Sequence, residues 1–248
     1  MFYKLNLKNV LFLDIETVPQ YSNFNELTDK EKQLWTKKAS RLVQENETAE
    51  EIYNRAGIYA EFGKIVCIST GFLTEAEGKK EFRLKSFFGD DEGELLNLFA
   101  NMLNSHYNKD KYYLCAHNGK EFDYPYIARR MLLNGIKLPK LLNISGLKPW
   151  EVKHLDTMEM WKFGDYKSYT SLDLLTTIFN IPTPKDDIDG SMVHKVYYQE
   201  KDLARIVTYC EKDVLAIAQL LLKYRNEKLL LNSEIKSVTD NNKQHNIL

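Results

Sequence analysis

The sequence feature that most constrains the fold is the apolar run at residues 9–15, NVLFLDI. A strand that is apolar at consecutive positions is typical of the centre of a sheet that is covered on both faces. Runs rich in β-branched and aromatic residues predict further strands at 64–73, 81–88 and 112–117. Apolar residues at intervals of three and four predict helices at 91–107, 124–134, 171–179 and 202–226. This alternation predicts an α/β fold with a mixed central sheet and helices on both faces.

The chain has 248 residues, of which 44% are hydrophobic and 28% are charged. This composition is sufficient for one sizeable core, and we predict a single domain over residues 1–231. The charged segment 21–60, between the first two predicted strands, contains helical stretches and is interpreted as a surface insertion. Residues 232–248 are polar, and we expect them to form a tail that frays.

The formal net charge is −1, so the chain lacks the basic excess of a protein whose main task is holding nucleic acid. A nucleic-acid chain end could still bind in one local groove. Cys67, Cys115 and Cys210 are scattered without metal-binding spacing and are expected to be core thiols in a reducing compartment. The sequence contains neither a membrane span of about 20 apolar residues nor a secretory signal. A cytoplasmic protein that does not contact membranes is therefore expected.

The first predicted strand runs into two carboxylates, in the stretch VLFLDIETVP. Residues two apart in a strand point to the same side, so Asp14 and Glu16 project together while Ile15 points away. We expect this pair at the carboxyl end of the strand, where α/β sheets place their ligands. A divalent cation would relieve the repulsion between the two carboxylates. A strand that simply ends in solvated acids is the alternative.

Two later segments supply acids that could converge on the same place. Asp123, in AHNGKEFDYPYI, lies at or just before a predicted helix start, where a structural N-cap is the alternative. Tyr209 and Asp213, in YCEKDV, are four residues apart and share one helix face. That face also carries apolar residues, so the pair is predicted to point inward. A buried Asp and Tyr need partners, and a metal ion with its waters would supply them.

Together the stretches FLDIETVP, AHNGKEFDYPYI and YCEKDV resemble the three motifs of the DEDD-type 3′–5′ exonucleases of the ribonuclease H-like superfamily. The chain is similar in particular to the stand-alone predicted exonucleases related to the proofreading domain of family-B DNA polymerases. Position 208 is Thr, whereas the sister branch has a histidine five residues before the last aspartate. The resemblance is therefore to the tyrosine branch, DEDDy, and it implies a ribonuclease H-like sheet.

The resemblance also implies the roles of the motif residues. Asp14, Glu16 and Asp213 would bind a first divalent ion, and Asp14 would bridge to a second ion that Asp123 holds directly or through water. Oxygen ligands suit Mg²⁺ or Mn²⁺, and two such ions can assist an in-line phosphoryl displacement. Tyr209 would orient the attacking water. The implied reaction releases nucleoside monophosphates from the 3′ end of nucleic acid, with single-stranded DNA favoured and a repair or polymerase partner left open.

The sequence says less about contacts to the substrate. Asn118 and Lys120 lie near the second motif and are candidates for touching a phosphate. The segment 161–169 mixes aromatic and lysine residues, as single-strand binding sites do, and Phe163 is its candidate for contacting substrate. A loop with some of these aromatics folded into the core is the favoured interpretation of this segment.

The remaining acids and histidines have simpler interpretations. Aligning Gly190 on a calcium loop places Lys185 at the first ligand position, which excludes an EF-hand. The acids at 90–94 fit a helix start, and Asp156 is interpreted as a strand-end acid in preference to a residue that supports the metal ligands. His194 is too far along the chain from the third motif to act as its base.

Two alternatives to a DNA exonuclease remain open. An RNA-trimming 3′–5′ exoribonuclease would use the same residues, since the catalytic groups act on phosphates and do not read the sugar. A non-catalytic module that binds nucleic acid or protein could keep the same fold. All five motif residues are present, and this favours an enzyme.

Overall fold

The computed structural model describes residues 2–76, 78–148, 150–165, 167, 169–182 and 188–239. Its strands are β1 (Val10–Pro19), β2 (Gly63–Ala76), β3 (Lys79–Phe88), β4 (Tyr113–Ala116), β5 (Leu155–Asp156) and β6 (Ile235–Ser237). They form one mixed sheet in the order β5-β4-β1-β2-β3-β6. The pairs β1–β2 and β2–β3 are antiparallel, whereas β1–β4, β4–β5 and β3–β6 are parallel. This arrangement confirms the predicted α/β, ribonuclease H-like fold class.

The α-helices are α1 (Asp29–Ala39), α2 (Glu92–His106), α3 (Asp123–Leu133), α4 (Thr157–Lys162), α5 (Leu172–Ile178), α6 (Val193–Lys195) and α7 (Leu203–Tyr224). A π-helical turn, Val196–Glu200, follows α6. Short 3₁₀ helices lie at Phe2–Lys4, Leu7–Asn9, Phe24–Glu26, Tyr53–Ile58, Lys140–Leu142 and Asn232–Glu234. No helix in the described ranges is both long enough and apolar enough to cross a bilayer.

The side chains of β1 alternate between two hydrophobic cores. Leu11, Leu13 and Ile15 pack on one face of the sheet with residues of α2 and α3. Val10 and Phe12 pack on the other face, against residues of α7. This is the burial on both faces that the consecutive apolar residues predict. By the same alternation, Asp14 and Glu16 lie on the α7 face of the sheet.

The insertion between β1 and β2 has a small core of its own, centred on Trp35 and Tyr53. A capping box of Thr28 and Glu31 begins α1, and the Trp35 indole donates to the backbone carbonyl of Ala49 at 2.7 Å. Gly57 lies against the end of β1, where an added Cβ would be 3.0 Å from the carbonyl carbon of Val18. The insertion is thereby packed against the end of the sheet.

The expectation that the chain frays from residue 232 onward is wrong for the stretch that forms β6. Ile235–Ser237 pairs in parallel with β3, which would otherwise present an unpaired edge. The hydroxyls of Ser237 and Thr239 donate to the carboxylate of Glu211 on α7. Backbone pairing and this carboxylate thus satisfy polar groups that the sequence suggested were solvated. The rest of the predicted tail, 240–248, lies outside the described residues.

Candidate metal centre

Asp14 and Glu16 lie in the middle of β1, so the prediction that they end the strand is wrong. On one side of β1, β4 pairs only with Val10–Phe12. On the other side, β2 pairs with β1 as far as Pro19. The register with β2 shifts between Glu16 and Thr17, as at a β-bulge. Beyond Phe12, β1 therefore has no strand partner on the side of β4 among the described residues. In this part of β1, Asp14 is half-buried and Glu16 is buried.

The third motif lies on α7, which packs across β1 and β2. Asp202 caps the start of this 22-residue helix by accepting the backbone N–H of Arg205. Tyr209 and Asp213 are one helical turn apart, and the charge of Asp213 adds to burial in raising the pKa of Tyr209. Asp213 in turn repels the negative charge of Asp14 and Glu16. The helix thus brings both of these side chains to the carboxylates of β1.

Asp123 is the first residue of α3, immediately after Phe122 at the N-cap position. Asp123 is therefore not the N-cap residue, and the alternative role suggested by the sequence does not apply. Its side chain is only 2% exposed, and its Oδ1 atom has no hydrogen-bond partner in the described structure. A buried carboxylate oxygen without a partner is unfavourable. A cation beside Asp123 would remove that deficiency.

Burial and mutual repulsion shift the pKa values of these acids. The pKa of Asp14 is raised well above its usual value, first by burial and then by the charges of Asp213, Glu16 and Asp123. The pKa of Glu16 is raised well above its usual value by burial and then by Asp213, with smaller contributions from Cys67 and Asp123. The four carboxylates therefore share one electrostatic site, which favours a proton or a cation.

The pKa values of Asp123 and Tyr209 are also raised. Burial raises the pKa of Asp123 to about 8, although backbone hydrogen bonds from Asp123 itself and Ile15 oppose the rise. The pKa of Tyr209 is raised by burial and then by the charges of Asp213, Glu16 and Asp14. At neutral pH Tyr209 therefore keeps its proton. It can donate or orient a hydrogen bond, but it is not poised to act as a base.

The sequence does not predict the contact between Cys210 and Asp14. The prediction of a buried core thiol is confirmed, but its Sγ also lies 3.4 Å from both the backbone O and the Oδ2 of Asp14. Ligand atoms of Asp14, Glu16 and Cys210 all lie within 4.8 Å of one another. The thiol donates to the carboxylate and opposes the rise of its pKa. Its position between Tyr209 and Asp213 was the available signal for this contact.

Asn118 and Lys120 lie in the turn that precedes α3. Asn118 has a left-handed backbone with φ 62°. The backbone N–H groups of both residues donate to the carboxylate of Asp156, each at 3.0 Å. The ammonium of Lys120 pairs with Glu159 at 2.6 Å. The two residues therefore lie next to Asp156, with the Lys120 side chain engaged in an ion pair.

Asp156 is the strand-end acid that the sequence predicts. It ends β5 and caps α4 by accepting the backbone N–H groups of Met158 and Glu159. With the two bonds from the 118–120 turn it accepts four backbone hydrogen bonds, and its side chain is 3% exposed. Its charge also raises the pKa of Asp123. Asp156 thus joins β5, α4 and the turn that leads to Asp123.

The aromatic segment 161–169 divides between the core and the surface. Trp161 packs against Phe179 and Tyr224, as the core interpretation predicts. Phe163 is 84% exposed with φ 44°, and Tyr169 is 67% exposed. A loop with only some of its aromatics folded into the core is the favoured interpretation, and this division agrees with it. Tyr166 lies outside the described residues.

The other acids and His194 are structural where they are described. Asp91 caps α2 by accepting the backbone N–H of Glu94 at 2.9 Å, which confirms the interpretation of that cluster. Glu92 forms a buried ion pair with Arg130. His194 shares a hydrogen bond with the backbone carbonyl of Ser22. The segment excluded as a calcium loop lies partly outside the described residues, at 183–187.

A comparison with protein families identifies the family to which the chain belongs. Residues 58–245 match the family described as predicted 3′–5′ exonucleases related to the exonuclease domain of PolB. The match covers more than half of the chain, so the chain belongs to this family. Asp123, Tyr209 and Asp213 lie within the matched residues. Asp14 and Glu16 precede them, and the sheet brings all five together.

Proposed function

We propose that this member of the exonuclease family is a metal-dependent 3′–5′ exonuclease of the DEDDy type. Its proposed ligands are Asp14, Glu16, Asp123 and Asp213. The observation that carries the proposal is the convergence of these four carboxylates from β1, α3 and α7, with the buried Oδ1 of Asp123 lacking a partner.

The donor set fits two divalent cations of the Mg²⁺ or Mn²⁺ type, since these ions prefer oxygen ligands. When bound, such ions stabilise charge on the attacking and leaving oxygens of a phosphodiester. Asp14 would take part in holding both ions, because the charges of Glu16, Asp213 and Asp123 all act on its carboxylate. The thiol of Cys210 helps to hold the Asp14 carboxylate in place.

The proposed role of Tyr209 is to position the attacking water. Burial and the charges of Asp213, Glu16 and Asp14 raise its pKa, so the phenol stays protonated beside these carboxylates. An oriented donor in a site that excludes bulk water contributes through geometry and electrostatics. The proposed products are nucleoside monophosphates.

Single-stranded DNA is the proposed substrate. The exposed ring of Phe163 supports contact with unpaired bases, since base stacking on aromatic rings does not depend on sequence. The polar groups of Asn118 and Lys120 lie at the turn before Asp123 and are proposed to approach the strand. RNA remains the second candidate, because none of the named groups distinguishes the sugar.

The test is digestion of end-labelled strands with Mg²⁺ or Mn²⁺. A 5′-labelled linear single strand should shorten progressively from its 3′ end, with blunt duplex degraded more slowly and a circular single strand left intact. Parallel DNA and RNA strands decide the sugar preference. Efficient cutting of the circle would contradict an exonuclease. Binding without any cleavage would instead support the non-catalytic module.

A further inference from the structure

A groove outside the metal centre adjoins the turn that leads to Asp123. It has a volume of about 760 Å³ and extends between α3, the loop at 134–152 and α4. Its lining includes Asn118, Lys120 and Asp156, and the charge of Asp156 contributes to the raised pKa of Asp123. Leu138, Leu142, Ile144 and Leu147 contribute to its apolar walls. The groove is large enough for an organic ligand of several rings.

The aromatic residue of this groove is unusually exposed. Trp150 lines the groove and is 75% exposed, and Leu132 on the facing helix is 63% exposed. The ammonium of Lys148 lies 5.3 Å from the centre of the Trp150 ring. A Trp ring left in water beside an apolar groove is typical of a binding surface.

The acidic side chains of the groove already have partners, whereas two of its basic side chains form no ion pair among the described residues. Of the described residues, three acids line the groove, and each already has a partner. Asp156 accepts four backbone N–H groups, Glu159 pairs with Lys120, and Glu121 accepts the hydroxyl of Tyr169. Arg129 is exposed on α3, and within the described residues it makes no ion pair or hydrogen bond. The ammonium of Lys162 lies 4.5 Å from the centre of the Tyr169 ring and makes no ion pair with another described residue. The groove therefore offers cations to an anionic ligand.

We propose that this groove binds unpaired bases of the substrate strand on the 5′ side of the bond that is cut, with Trp150 as the stacking ring and Arg129 as a phosphate contact. This inference rests on the proposed function, which brings a strand to Asp123. The groove begins at the same turn, and it combines apolar walls and a bare aromatic ring with cations. Paired bases in a duplex could not stack on Trp150, so the occupant is single-stranded.

The first experiment measures binding without cleavage. A fluorescently labelled single-stranded DNA decamer is titrated in EDTA against the wild type, Trp150→Ala and Trp150→Phe. Tyr3→Ala is the matched control, since Tyr3 is 72% exposed but precedes the amino end of β1. Loss of stacking should raise Kd by about 5- to 150-fold for Trp150→Ala. Trp150→Phe should recover most of the affinity, and the control should match the wild type.

The second experiment separates this groove from the metal centre. The value of kcat/KM with Mn²⁺ is measured on single strands from two to ten nucleotides long. In the wild type it should rise steeply once the strand is long enough to reach Trp150, and Trp150→Ala should flatten that rise. A wild type that cleaves all lengths equally well would overturn the proposed binding of the strand in the groove, but it would not contradict the proposed exonuclease function. A wild type that cleaves nothing would contradict the proposed function, and the binding titration would still test the groove.

The third experiment concerns Arg129. If it contacts one phosphate, Arg129→Gln should reduce the slope of log K against log salt by about 0.7. Lys80→Gln, on the hairpin between β2 and β3, is the matched charge control and should leave the slope unchanged. Unaltered Kd and salt slope in both groove variants would overturn the proposal. A change of oligomeric state in Trp150→Ala without any change in strand binding would also overturn it, in favour of a protein partner.

Discussion

Tyr209 and Asp213 lie one turn apart on α7, and after burial the charge of Asp213 is the largest cause of the raised pKa of Tyr209. The pair joins a group that keeps its proton to a group that carries negative charge into the metal centre. The two residues therefore have different parts in the proposed reaction, although they share one helix face.

Tyr209→Phe should lower kcat by roughly 10- to 1,000-fold, because it deletes one orienting hydroxyl and keeps the ring. The affinity for Mn²⁺ should hardly change. Kinetics and metal titration of the same preparation check both expectations. A variant that turns over at the wild-type rate but has lost about 1 kcal/mol of stability would show that the hydroxyl is merely structural.

Asp213→Asn should lower both the affinity for Mn²⁺ and kcat, because it removes a formal charge from the metal centre. Asp173→Asn, in the first turn of α5, is a suitable control at an acid outside the centre. The measurement is Mn²⁺ titration by calorimetry together with turnover. Unchanged Mn²⁺ affinity in Asp213→Asn would remove it from the ligands.

The pH dependence of the metal-free protein follows from the raised pKa values. A carboxyl whose pKa is raised in the folded state binds more protons there than in the unfolded chain. Its contribution to stability is thus complete at low pH and is lost as the pH rises from about 4 through about 8, the value for Asp123. Each such group can contribute a slope of at most about 1.4 kcal/mol per pH unit.

Urea unfolding in EDTA between pH 5 and 8 measures this slope. Asp123→Asn cannot titrate at that position, so its free energy of unfolding should fall less steeply with pH than that of the wild type. Comparing the two proteins cancels the opposite contribution of His117 and His154, whose pKa values are lowered by burial. Identical slopes would mean that Asp123 titrates normally.

Asp156→Asn tests the carboxylate that connects β5, α4 and the turn before Asp123. The amide of Asn can keep the bonds made to Oδ1, but its NH₂ group faces the N–H of Lys120 that now donates to Oδ2. Losing this bond should cost about 1.5–3 kcal/mol. Asp189→Asn, at an exposed turn, should stay within about 0.5 kcal/mol of the wild type. Chemical denaturation distinguishes the two, and equal stability would contradict the assigned role of Asp156.

The sequence predicted the elements whose hydrophobic period is long and regular. The first four strands and α2, α3, α5 and α7 lie within a few residues of their predicted bounds. It places Asp156 at a strand end but gives no bounds for β5, and it does not predict β6; these strands have two and three residues. Such short strands are stabilised by pairing with a distant partner, and no local pattern specifies them.

The candidate site shows the same division. The two-residue spacing of Asp14 and Glu16 and the four-residue spacing of Tyr209 and Asp213 indicate which side chains share a face. The extension of β1 past the end of β4 and the contact of Cys210 with Asp14 depend on packing between distant elements. Strand register and tertiary packing are not encoded by local spacing.

The most direct test of the central claim is the effect of Mn²⁺ on thermal stability in the wild type and in Asp14→Asn. In the wild type the ion should raise the melting temperature, with about 2.7 kcal/mol available when the free metal is a hundred times its Kd. In Asp14→Asn the response should be lost, and the metal-free variant should be at least as stable as the wild type because repulsion is relieved. An Asp14→Asn protein that Mn²⁺ stabilises as much as the wild type would contradict a metal centre built on these carboxylates.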